Sequence, residues 1–72
     1  MTRKEIRALI ADGTARDLNA AYRDGTAPDP RDVEAVAISY GTYGMSAGLF
    51  RQVSTGDLWA IGDRSSSLFV YA

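Results

Sequence analysis

A chain of 72 residues without a single cysteine or histidine must hold its fold together by packing alone. At this length the apolar burial available barely exceeds the cost of ordering the chain. Domains of this size commonly add a disulfide, a metal or a second subunit. Here a disulfide is excluded, and a zinc site would be left with only carboxylate and carbonyl ligands. Self-association is the remaining route to extra burial.

The same two absences thin the catalytic repertoire, because there is no imidazole base and no thiolate. The only lysine, Lys4, falls in the first turn of a predicted helix, a solvated place. The acids Glu5, Asp12, Asp17, Asp24, Asp29, Asp32, Asp57 and Asp63 sit at predicted helix ends and turns, where cap and turn hydrogen bonds account for them. Asp29, Asp32 and Glu34 are close in sequence but lack the D-x-D-x-D-G spacing of a calcium loop. The expectation is therefore a chain that is not an enzyme and carries no metal or cofactor.

Charge narrows the partners. Eight basic and nine acidic residues leave a formal charge of −1. A dedicated nucleic-acid binder usually carries a basic excess, and an acidic mimic of DNA would carry the opposite. Arg3, Lys4, Arg7, Arg16, Arg23 and Arg31 do gather in the first half, but acids interleave with them as on an ordinary solvated surface. Nucleic acid is not the expected partner. No stretch approaches the ~18 apolar residues of a membrane span. Met1-Thr2-Arg3-Lys4-Glu5 is not followed by an apolar run of signal-peptide length. The expected location is the cytoplasm, with which the absence of cysteine agrees.

Helical signals fill residues 1–32 and strand signals fill residues 33–72. Thr2 and Glu5 form a T-x-x-E capping box. Ile6, Leu9 and Ile10 then make one apolar stripe, and Gly13 suits a helix end, so a helix is predicted over 3–12. TRKEIRALIADG (2–13) is followed by TARDLNAAYRDG (14–25), with Thr, Ala, Asp and Gly at equivalent places. Shared cap chemistry explains this as well as a tandem repeat does, since a solenoid needs about three repeats or more. A second helix is predicted over 15–24, with Leu18, Ala21 and Tyr22 as its stripe. Thr26 to Asp32, with Pro28 and Pro30, reads as a connector. Asp29 before Pro30 also suits the cap of a short third helix. From Glu34, however, β-branched residues and Tyr40 favour a strand.

Gly41 to Gly48 is the least regular stretch, with three glycines in eight residues. Strands are predicted over 49–53, 58–61 and 67–71. Ser54-Thr55-Gly56-Asp57 is a hairpin signal, with Gly56 at the left-handed position, and Gly62 to Ser65 forms another turn. The predicted fold is α+β in one domain: two short N-terminal helices packed on a small antiparallel sheet of three or four strands.

Alternation puts apolar groups on both faces of these strands: Leu49 and Val53 against Phe50, Leu58 against Trp59 and Ile61, Leu68 and Val70 against Phe69 and Tyr71. Two helices can cover one face, and the other retains some of the aromatic set unless loops cover it. Such a patch on a small protein marks an interface, for which Tyr, Trp, Met and Arg are the favoured types. The candidate contact residues are Tyr40, Tyr43, Met45, Arg51, Trp59 and Arg64.

Three functions fit. The first is a non-catalytic protein-binding module that occludes a partner's surface, a description that suits compact phage or mobile-element inhibitors of host defence, of the anti-CRISPR kind. The second is a binder of a small nucleotide-like ligand, or a sequestering oligomer, using Tyr40, Tyr43, Arg51 and Arg64. Arg64-Ser65-Ser66-Ser67 offers one guanidinium and three hydroxyls to an anion. The glycine stretch, however, lacks the order of a phosphate loop. The third is a homodimeric structural accessory whose sheet pairs with its own copy.

Overall fold

The computed structural model describes all 72 residues. In chain order it contains α1 (Arg3–Ala11), β1 (Arg16–Asp17), α2 (Leu18–Asp24), a 3₁₀ turn (Pro30–Asp32), β2 (Val33–Gly41), β3 (Gly44–Gln52), β4 (Leu58–Ile61) and α3 (Ser66–Tyr71). The sheet order is β1-β4-β3-β2. The β2–β3 and β3–β4 pairs are antiparallel, whereas β1 runs parallel to β4. The α+β class agrees with the sequence. The sheet is mixed rather than antiparallel, and there are three helices rather than two.

The first helix forms as its signals predict. Thr2 accepts from the Glu5 amide at 3.2 Å, Glu5 accepts from the Thr2 amide at 3.0 Å, and both bonds of the capping box are made. The second departs from its sequence twin. Thr14 does not cap, because its own amide donates to the Asp12 carboxylate in a local turn. Asp17 caps instead, accepting from the Ala20 amide. Arg16 and Asp17 stay extended and pair with Trp59 and Ala60, which protects an otherwise open edge of β4. Ala15 is thereby buried with Ile6, Ala47, Leu49 and Ala60. Tertiary pairing outweighed the local preference for three more helical residues.

The predicted strand at 67–71 is the helix α3. Its β-branched and aromatic residues favour a strand locally, but the burial pattern has helical spacing. Ser67, Leu68 and Tyr71 face inward, whereas Phe69 and Val70 face out. The penultimate residue, Tyr71, donates its hydroxyl to the Pro28 carbonyl at 2.6 Å and meets the Tyr22 ring edge-on. Residues 33–72 are therefore not all sheet, and residues 1–32 contribute one short strand to it. Over 33–38 the strand reading is correct. Asp29 also caps a turn there, the 3₁₀ segment that leads into β2.

The helices divide between the two faces of the sheet. α1 lies over Ala47, Leu49 and Ala60, whose small side chains let it approach closely. On the opposite face α2 and α3 enclose Phe50, Trp59 and Ile61 with Leu18, Leu68 and Tyr71. The expectation that one face keeps exposed aromatics is corrected: both faces are covered. Gly48 matters here, because it sits beneath α3 where any side chain would meet the Phe50 ring and Leu68.

Candidate functional site

With both faces covered, the two most exposed aromatics lie at the end of the β2–β3 hairpin, apart from Phe69 on α3 and Tyr22 on α2. Thr42 and Tyr43 turn the chain, and Gly44 at φ 105° supplies the left-handed residue such a turn needs before the strand resumes. The turn leaves Tyr43 85 % exposed and Tyr40 72 % exposed. Met45 is paired opposite Tyr40 and rests against the core formed with α2 and α3. A bulge at Ser46 re-aims this end of β3. It is pinned by the buried Ser46 hydroxyl, which donates to the Ser39 carbonyl at 3.2 Å.

Arg64 arrives at the same place from the turn after β4. Its guanidinium carbon lies 5.5 Å from the centroid of the Tyr43 ring, a contact worth about 0.5–1 kcal/mol at an exposed site. A Cβ on Gly41 would stand 3.8 Å from its Nη2, so the guanidinium lies alongside the strand end. The ion pairs of the protein are Arg7–Asp63, Arg31–Asp29 and Arg51–Glu34, and Arg64 is in none of them. Between Ala35 and Phe50 there is no charged residue to balance it. Tyr40, Tyr43 and Met45 thus share the end of one hairpin, and Arg64, which is in no ion pair, reaches Tyr43 there.

The other two do not join them. Arg51 sits at the far end of the hairpin, where Nε and Nη2 both donate to Glu34, at 2.8 and 2.6 Å. Trp59 is only 7 % exposed and belongs to the core. Its indole N–H donates to Gln52 at 3.2 Å, and the Arg16 guanidinium lies 5.5 Å over its ring. Pairing with β1 and cover by α2 withdraw it from the surface that alternation alone assigned to it.

The serine run does not act as a unit. Ser67 is fully buried and donates to Asn19 at 2.7 Å, and Ser65 bonds Ser67 at 2.8 Å. The hydroxyls hold α3 to α2 rather than facing an anion. Asp29, Asp32 and Glu34 also diverge: Asp29 binds Arg31, Asp32 accepts from Gln52 and Ser54, and Glu34 binds Arg51. The Ser54 and Gln52 bonds, in that order, hold the Asp32 carboxyl below its ordinary value of 3.8.

A second feature has no counterpart among the sequence expectations. A cleft of about 230 Å³ lies between α1, α2 and the turn after β4. From sequence, Arg7 and Arg23 read as solvated surface and Gly62-Asp63 as a plain turn. Their spacing did carry a signal, since Arg7 shares a helix face with Ile10 and Ala11, and Asn19 shares one with Arg23. What the sequence lacked was the turn that brings the two faces together.

Comparison with protein-family models, with curated proteins and with solved structures gives no match. No helix is long and apolar enough to cross a membrane.

Proposed function

We propose that this chain is a non-catalytic protein-binding module that acts by covering a surface of its partner, with the β2–β3 hairpin tip as the point of contact. The observation that carries this reading is the pair Tyr43 and Arg64: an exposed ring held against a cation that has no counter-charge. Tyrosine and arginine dominate binding hot spots. A ring already held in place loses little freedom on association. The unbalanced charge favours a partner that presents carboxylates. The narrower role, a compact inhibitor of a host defence system of phage or mobile-element origin, is supported by small size and balanced charge.

The test is capture of partners by tagged wild-type protein and by a Tyr40→Ala/Tyr43→Ala/Arg64→Ala variant of matched thermal stability. One stoichiometric protein should be retained by the wild type and lost by the variant. Truncating Tyr43 alone should cost about 2 kcal/mol, or roughly 30-fold in Kd. Equal retention by both proteins removes the tip from the reading.

A second reading, pairing with another copy, is supported by the nine-residue outer edge of β2, which has only one neighbour. The bulge at Val36 breaks that edge midway and weighs against it. Sedimentation as a monomer at high concentration would dispose of it.

A further inference from the structure

The cleft beside α1 and α2 is separate from the hairpin tip and plays no part in the binding reading above. At about 230 Å³ it holds roughly eight water volumes, below the range of pockets that take drug-sized molecules. A small polar group fits a cleft of this size.

One wall is α1, with Arg7, and the other is α2, with Asn19 and Arg23. Arg7 is fixed in place: Nε donates to the Gly62 carbonyl at 2.9 Å and Nη2 to the Asp63 carboxylate. Gly62 makes this possible, because a Cβ there would lie 2.8 Å from Arg7 Cγ. Arg7 and Asp63 neutralise one another. The remaining charged groups of the cleft are Arg23, which is in no ion pair, and Asp17, which uses one carboxylate oxygen to cap Ala20. Asn19 turns its carbonyl to Ser67, at 2.7 Å, and leaves its amide donors free. The cleft therefore offers a cation and N–H donors along the α2 wall, with carboxylate oxygens at the start of that helix, on Asp17, and across the cleft, on Asp63.

We propose that this cleft binds a small zwitterion of the free α-amino-acid class. Its carboxylate would lie on Arg23 and the Asn19 amide, and its ammonium on Asp17 and the outer oxygen of Asp63.

The test is titration of the ¹⁵N-labelled full chain with glycine, L-serine and L-glutamine, and separately with acetate and methylammonium, followed by amide chemical shifts. At least one amino acid should give saturable shifts at Asn19, Arg23, Gly62 and Asp63. Acetate and methylammonium each carry half of the charge pattern and should bind at least about tenfold more weakly. Arg23→Gln should lose amino-acid binding by a similar factor with the rest of the spectrum unchanged. Asp63→Asn should weaken the amino acid but not acetate. The proposal is overturned by the absence of saturable shifts with all three amino acids, by acetate binding as well as they do, or by wild-type affinity in both variants.

Discussion

Gly48→Ala tests how closely α3 is seated on the sheet. The added methyl would stand 2.7 Å from Cε2 and Cζ of Phe50 and 3.1 Å from Cδ1 of Leu68. Carbon atoms pack at about 3.5–4.0 Å, so roughly 1 Å of displacement is required. Phe50 and Leu68 are both fully buried and have no open space to move into. Overpacking of this kind costs about 1–3 kcal/mol. Gly48 is not among the positive-φ glycines, so alanine suits its backbone and returns about 0.4–1 kcal/mol through the unfolded chain. Taking the middle of each range, the net expectation is a loss of about 1.3 kcal/mol, or roughly 5–10 °C in Tm for a domain of this size. Thermal and urea unfolding followed by circular dichroism measure it. Gly41→Ala is the control, since its methyl would meet Ser46 Cβ at an ordinary 3.6 Å and should leave stability level or slightly higher. Adding Phe50→Leu to Gly48→Ala should cost less than the two single losses combined, because the ring is what the methyl strikes. A Gly48→Ala protein as stable as the wild type would refute the reasoning.

Thr2→Ala removes one side of the capping box and should lower stability by about 1 kcal/mol, read as a shift in urea midpoint at constant slope. Tyr71→Phe strips the bond to the Pro28 carbonyl and should cost about 0.5–1.5 kcal/mol in the same assay. Burial, followed by the neighbouring Tyr22 and Asp29, raises the Tyr71 phenol above its ordinary 10.0. Its contribution is therefore complete below pH 10.0 and should fade as the pH rises further, a loss that Tyr71→Phe should abolish. Asp32 has the opposite sign. Its carboxyl is held below 3.8, so the stability it provides is present above that pH and drains away as the pH falls through its lowered value. Asp32→Asn should flatten the acid limb of Tm against pH, and an unchanged acid limb would show that the Ser54 and Gln52 bonds do not favour the charged form.

Local chemistry made several elements legible. The capping box at Thr2 and Glu5, the stripe at Ile6, Leu9 and Ile10, and the left-handed Gly56 turn are decided by residues within a few positions of one another, and the structure contains them. Elements settled by distant partners were less legible. Arg16 and Asp17 are extended because β4 offers them an edge. Ser67 to Tyr71 is helical because Leu68 and Tyr71 find a floor at Phe50 and a partner at Pro28. The same limit governed the site. Tyr40, Tyr43 and Met45 share one hairpin and could be grouped from the chain, and Arg64 reaches them only through the turn after β4. Alternation assigns a side chain to a face and is silent on what covers it, which is why the burial of Trp59 was not legible, while the pairing of Arg51 with Glu34 depends on the β2–β3 register.

The parallel pairing of β1 with β4 also constrains the order in which the molecule assembles. β2 and β3 are neighbours in sequence and can zip together as soon as their turn forms, whereas the register of Arg16 with Trp59 closes a loop spanning most of the chain. Until β4 has docked on β3, α1 and α2 have only part of a surface to lie on, and short helices of this kind are marginal in isolation. During vectorial synthesis the N-terminal helices emerge before the strands they pack on. Leu58–Ile61 supplies the edge that β1 pairs with and part of the floor for α1 and α2, so those helices are fully supported only once it is in place.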